Sequence, residues 1–150
     1  MRTWTLCALA LLAAAAGLAR AESKTPTLAG PGNMIHCPSA VPGAKTELKE
    51  IKDGIEVWIT ATEDAKTQEI RRRAKHVVEA AKTDPNTVRH TGDGHGGGGL
   101  GRCPVVLKDT LVTAEDIKGG TRITVRPVKP VDLEWLRKET ASRLKESQKQ

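Results

Sequence analysis

The residues of this chain whose types could do chemistry are two thiols and three imidazoles. Cys37 and Cys103 each stand directly before a proline, as Cys37-Pro38 and Cys103-Pro104. His36 adjoins the first thiol, and His90 and His95 lie in the glycine-rich run that leads to the second. Met34 adds a thioether close by. Two readings of this set stand side by side. In an oxidising compartment an even pair of cysteines is a disulfide candidate. A Cys37–Cys103 bridge would stabilise the fold by about 4 kcal/mol through loop closure. The other reading is a soft-metal site, copper before zinc. Thiolate, imidazole and thioether suit Cu(I), and Cys with His also suits Zn(II). Cys37 and Cys103 would be its primary ligands, with His36, His90 and His95 supplementary. The spacing of His90, His95 and Cys103 matches no strict metal motif, and His90 and His95 are equally readable as solvated linker residues.

Other motifs carry less. Gly92-Asp93-Gly94-His95-Gly96-Gly97 satisfies the dinucleotide fingerprint formally, but it follows a helical pattern and leads into Cys-Pro, where the fingerprint requires a strand before it and a helix after it. There is no nucleophile elbow, no Cys-x-x-Cys and no zinc-protease pair. His36 and Cys37 are adjacent, so in an extended stretch they point to opposite sides and serve each other poorly as base and nucleophile. A non-enzymatic role is expected. Arg71, Arg72, Arg73 and Lys75 read as a solvated helix face, or as a surface for an acidic envelope protein or anionic lipid. His76 falls away from the apolar stripe of its helix and is expected to be exposed.

The elements that must position the thiols follow from periodicity. Leu48 and Ile51 precede Asp53-Gly54, and Ile55 to Ala61 then alternates, with Ile55, Val57 and Ile59 on one face and Trp58 on the other. Asp53-Gly54 predicts a tight hairpin with positive φ at both turn residues. From about Asp64 to Lys82, Ile70, Ala74, Val77, Val78 and Ala81 form a helical stripe that Asp84-Pro85 ends. The pattern then recurs. Val105 to Val112 is apolar and β-rich, Gly119-Gly120 signals a second turn, and Arg122 to Val125 alternates. Leu133, Leu136, Thr140 and Leu144 make a second stripe between Pro130 and Ser147.

The two halves align at one offset. Val57 and Ile59 match Ile123 and Val125, Ile70-Arg71 matches Leu136-Arg137, and Cys37 matches Cys103, each 66 residues apart. This predicts an internally duplicated α+β domain, with a strand-turn-strand-helix unit over about 34–85 and again over 103–147, joined by a Gly/His-rich connector at 86–102. One such unit cannot bury its apolar face alone. The expected architecture is ββαββα: a four-stranded, mostly antiparallel sheet with two helices on one face.

The start of the chain reads differently. Arg2, the apolar run Trp4–Ala16 and the Ala19-Arg20-Ala21 site are the pattern of a secretory signal peptide over residues 1–21, with an uncleaved anchor as the alternative. Cys7 lies inside that apolar run. Cleavage before Glu22 lowers the formal charge from +6 to +4 as Arg2 and Arg20 leave. Residues 22–33, with Pro26, Gly30, Pro31 and Gly32, read as a flexible lead-in. A periplasmic or extracellular protein of this charge is not expected to meet nucleic acid. With no Phe, no Tyr and only Trp58 and Trp135 after the signal segment, base-stacking platforms and aromatic-lined pockets are not expected either.

At Cys37-Pro38, Val41-Pro42-Gly43, Asp53-Gly54 and the arginine-rich helix, roughly over residues 34 to 104, the chain resembles a group of small exported bacterial proteins without established function. They carry Cys-Pro motifs, a helix often bearing Met and His, and His/Gly-rich connectors. Val77, Ala80 and Ala81 stand where that group would have Met and His. The resemblance implies export and soft-metal handling by connector and thiols, and implies no activity.

Overall fold

Two alternating strands make the centre of the molecule. The structure, a computed structural model, describes residues 34–83 and 102–148. The expected signal segment 1–21, the lead-in 22–33 and connector residues 86–101, with His90, His95 and the Gly92–Gly97 run, lie outside the described residues. In chain order the elements are β1 (Lys45–Ile51), β2 (Gly54–Thr60), α1 (Asp64–Thr83), β3 (Thr110–Ile117), β4 (Gly120–Pro127) and α2 (Leu133–Ser147). A 3-10 turn, Pro38–Ala40, precedes β1, and another, Pro130–Asp132, leads into α2.

The strands form one four-stranded sheet in the order β1-β2-β4-β3, antiparallel at every pairing, so the fold is α+β. Period-2 alternation puts Ile55, Val57 and Ile59 of β2 and Thr121, Ile123 and Val125 of β4 on one buried face. Both helices lie over that face. Each fully buried aliphatic side chain there is worth about 1.5–3 kcal/mol relative to exposure. The opposite face is polar. At its centre the Trp58 indole N–H donates to Glu56 Oε2 at 2.9 Å, while Lys49 Nζ sits 3.8 Å from the ring centroid. Among the described residues no helix is long and apolar enough to cross a membrane.

Several features recur at the spacing of 66 residues. Val57 pairs directly with Ile123 across the sheet centre. Gly43 and Asp109, both in the left-handed region at φ 79° and 54°, turn the chain before β1 and β3. Arg71 on α1 donates to Ile117 O at 2.8 Å and Gly120 O at 3.2 Å, beyond its own hairpin, and pairs with Asp116. Arg137 on α2 does the reciprocal job, donating to Ile51 O at 3.0 Å and pairing with Glu50. Each helix therefore ties down the hairpin of the other half, α1 lying mainly on β3 and β4 and α2 mainly on β2 and β1.

Two local expectations are corrected. Ile51 pairs with Gly54, so the turn residues are Lys52 and Asp53, and neither has positive φ. Gly54 is the first residue of β2, and glycine is needed there for another reason. A Cβ would stand 2.3 Å from Val125 O, and at the matching Gly120 it would stand 1.9 Å from Ile59 O. The second correction concerns Val105 to Val112. The strand begins only at Thr110, because Val105, Val106 and Leu107 turn inward as irregular, fully buried backbone beneath the sheet. Asp109, at its positive φ, redirects the chain, and the Thr110 hydroxyl closes back on Val106 O at 2.7 Å.

Candidate functional site

The cysteine segments enter the core as irregular backbone, and irregular buried backbone must find partners for its carbonyls. Cys37 N–H donates to Met34 O at 2.9 Å, and Pro38 then starts the 3-10 turn, which suits a residue without an N–H. Cys103 leads into buried Pro104-Val105-Val106-Leu107. The Cys37 and Cys103 residues are 0 % and 1 % exposed, and their thiols are close enough to shift each other's ionisation. Both are unbridged thiols here. Met34 belongs to the same buried cluster.

The carbonyls of both cysteines are gripped by arginine. Arg73 Nη1 donates to Cys37 O at 3.2 Å, and its Nε donates to Glu69 Oε1 at 2.7 Å. Arg143 Nη1 donates to Cys103 O at 3.4 Å, and its Nε donates to Glu139 Oε1 at 2.7 Å. Arg73 and Arg143 are 0 % and 2 % exposed. A cation is tolerated at that depth only with a paired carboxylate and filled hydrogen bonds, and the i,i+4 glutamates supply the pairing. Glu69 also holds Arg72 through two bonds of 2.7 and 2.8 Å. The Arg72 hydrogen bonds hold the Glu69 carboxyl below the usual carboxylate range; burial opposes this and Arg73 reinforces it.

Electrostatics make the two sulfurs unequal. Burial pushes the Cys37 thiol up, but the hydrogen bond from Cys103 and the N–H groups of Ser39 and Ala40 outweigh it, so its net direction is down. Burial pushes the Cys103 thiol well up, and its contact with Cys37 adds to that. Of the two sulfurs Cys37 is the more readily ionised and Cys103 the less.

His36, the chain neighbour of Cys37, forms an imidazole pair with His76 of α1. The rings of His36 and His76 are 4.4 Å apart at an interplanar angle of 39°. His76 is half-buried rather than exposed, because it lies one turn beyond Arg73 on the side of α1 that faces the Cys37 segment.

The structure thus brings Cys37 and Cys103 together and places His36 beside Cys37. It does not reach His90 or His95. Among the described residues no group of three or more His, Cys, Asp or Glu is arranged to hold a metal ion. The expected basic surface changes character. Arg73 is interior, Arg71 is spent on the β3–β4 hairpin and Arg72 on Glu69, while Lys75 remains exposed. Composition hid Arg73 and Arg143, since arginines read as solvent-facing. The signal that could have found them is the Glu-x3-Arg pair on each helix, Glu69/Arg73 and Glu139/Arg143. No family model, no curated protein and no solved structure matches this chain.

Proposed function

We propose that the chain is an exported, non-enzymatic interaction protein whose two halves are stapled by oxidation of Cys37 and Cys103. One observation carries this reading: the two sulfurs are side by side and withdrawn from solvent, each on the segment that leads into its own half of the sheet. Oxidation removes one hydrogen from each thiol and passes two electrons to the thiol oxidants of an oxidising compartment. A bridge formed there is shielded from reductants by the core. Its role is to hold the two hairpins in register, so that the polar sheet face and the strand edges present a fixed surface to an envelope partner.

The test is stability with and without the bridge. Replacing both cysteines by serine, or adding a strong reductant to the unfolded chain before refolding, lowers the denaturation midpoint while leaving the fold intact. Equal stability of oxidised, reduced and doubly substituted protein would contradict the staple.

A second reading keeps the same two sulfurs and places a Cu(I) ion between them. The observation favouring it is a pair of buried sulfurs of which Cys37 is the more readily ionised, with Met34 in the same buried cluster. Zinc fits less well, because tetrahedral Zn(II) asks for four donors. Stoichiometric uptake of Cu(I) by the reduced chain, abolished by Cys37→Ser, would establish this reading; no uptake removes it.

A further inference from the structure

The two ends of the sheet differ in a way that folding does not require. β1 and β3 are its outer strands. β1 carries Lys45, Glu47 and Lys49 in alternation along the open face, the charged pattern that blunts a sheet edge. β3 carries Leu111, Thr113, Glu115 and Ile117 on that face and no lysine within the strand. Leu111 is 62 % exposed, and Val128, Val131 and Trp135 are 57 %, 82 % and 43 % exposed. These are four of the five large apolar side chains exposed among the described residues: Leu111 near the start of β3, and Val128, Val131 and Trp135 along the segment that follows β4. Leu111 pairs with Arg126, Val128 N–H donates to Asp109 O at 2.9 Å, and Trp135 shares a shallow cleft of about 320 Å³ with Lys108, Asp109 and Asp132.

The first half provides an internal control. Residues 66 positions before Leu111, Val128 and Val131 are Lys45, Thr62 and Ala65. The same strand-and-helix arrangement is therefore built there without exposed aliphatic side chains of this size. Exposed apolar side chains that the fold does not need, beside an edge strand whose first five residues, Thr110 to Ala114, carry no charge, mark a binding surface.

We propose that the outer edge of β3 pairs antiparallel with the same edge of a second copy of this chain, centred on Ala114. In that register Ala114 faces Ala114, and Leu111 faces Ile117 twice by symmetry. Lys118 at the hairpin tip of one copy comes beside Asp109 of the other, next to Asp132, so acid meets base at both ends. Shifting the centre to Thr113 would set Leu111 against Glu115 and Lys108 against Lys118, which is unfavourable on both counts. Even numbering of the paired sum keeps both copies' helices on one side, giving a continuous eight-stranded sheet with a closed twofold interface. This surface does not involve the thiols, so its failure would leave the staple standing.

Sedimentation of the exported chain from about 1 to about 300 µM tests it, a range suited to a small interface. The expected result is a monomer–dimer equilibrium in this range. Leu111→Lys, which copies the residue at position 45, weakens it at least about tenfold at unchanged melting temperature. Ala114→Cys cross-links covalent dimers under mild oxidation, while Lys49→Cys on the β1 edge does not. A chain monomeric throughout, including one that instead binds lipid vesicles through this patch, overturns the proposal. So does a dimer indifferent to Leu111→Lys, or one cross-linked as readily through Lys49→Cys.

Discussion

Arg73 and Arg143 help to fix where the two cysteines sit, because each donates to a cysteine carbonyl in the core, Cys37 O accepting from the Ala40 N–H as well. Arg73→Met removes a donor to the Cys37 carbonyl and one partner of Glu69, which keeps Arg72, and should cost about 1–3 kcal/mol in urea denaturation. Arg72→Met touches the same glutamate from a half-exposed position and should cost at most about 1 kcal/mol. Acid should act through the same carboxylate. The folded-state pKa of Glu69 is depressed, first by Arg72, so its contribution is complete above the ordinary glutamate pKa and is lost as pH falls through the lower folded value. Melting temperature should drop on the acid side, and Glu69→Gln, less stable at neutral pH, should flatten that limb. Cys37 and Cys103 are legible in the sequence because their Cys-Pro context recurs at one spacing. The burial of Arg73, Arg143 and His76 is not, because the cysteine carbonyls and the His36 ring that these side chains meet are distant in sequence, and periodicity does not display them.

At the scale of elements, strand alternation and helical stripes were legible because each has a core-facing period that survives any detail of the turns. The β2–α1 stretch and the β4–α2 stretch fall close to where their patterns place them. The turns were less legible. Asp53-Gly54 drew attention as a turn pair, yet Gly54 is a strand residue that leaves room for a crossing carbonyl. Gly120→Ala brings a methyl group against Ile59 O at the end of the β2–β4 ladder and should destabilise by about 1–3 kcal/mol, with Gly54→Ala in the same direction. Thermal denaturation of the two variants checks this, and wild-type stability in both would mean that the crossing is loose. The start of β3 was misplaced because Val105-Val106-Leu107 is as apolar as a strand; burial without a ladder partner looks the same in one dimension. The helices add a smaller lesson. Arg71 and Arg137 keep the spacing of 66, while the Glu–Arg pairs that hold the cysteine segments are 70 apart. The additional four residues are about one helical turn, which slides the pair along α2 without turning it to another face.

For the whole molecule, the reciprocal reach of Arg71 and Arg137 means that neither half closes its own hairpin contacts. The halves should unfold in one transition, and a bridge between Cys37 and Cys103 would constrain the unfolded chain across the loop that joins them, by about 4 kcal/mol. Loss of that constraint should lower the midpoint of a single cooperative transition, read by circular dichroism, rather than split it in two. The four-stranded antiparallel sheet with its two helices was legible from strand alternation and helical stripes. The meeting of the sulfurs was not legible, because it depends on where irregular segments pass under the sheet. The central claim is that this pair closes in the exported protein, and the intact mass of the chain recovered from the exported fraction under non-reducing conditions tests it most directly. The account predicts a mass lower than the fully reduced chain by two hydrogens, with no bound metal and with Cys37 and Cys103 joined in the same peptide pair after digestion. A chain at the full dithiol mass, with both thiols open to alkylation once unfolded, would contradict it.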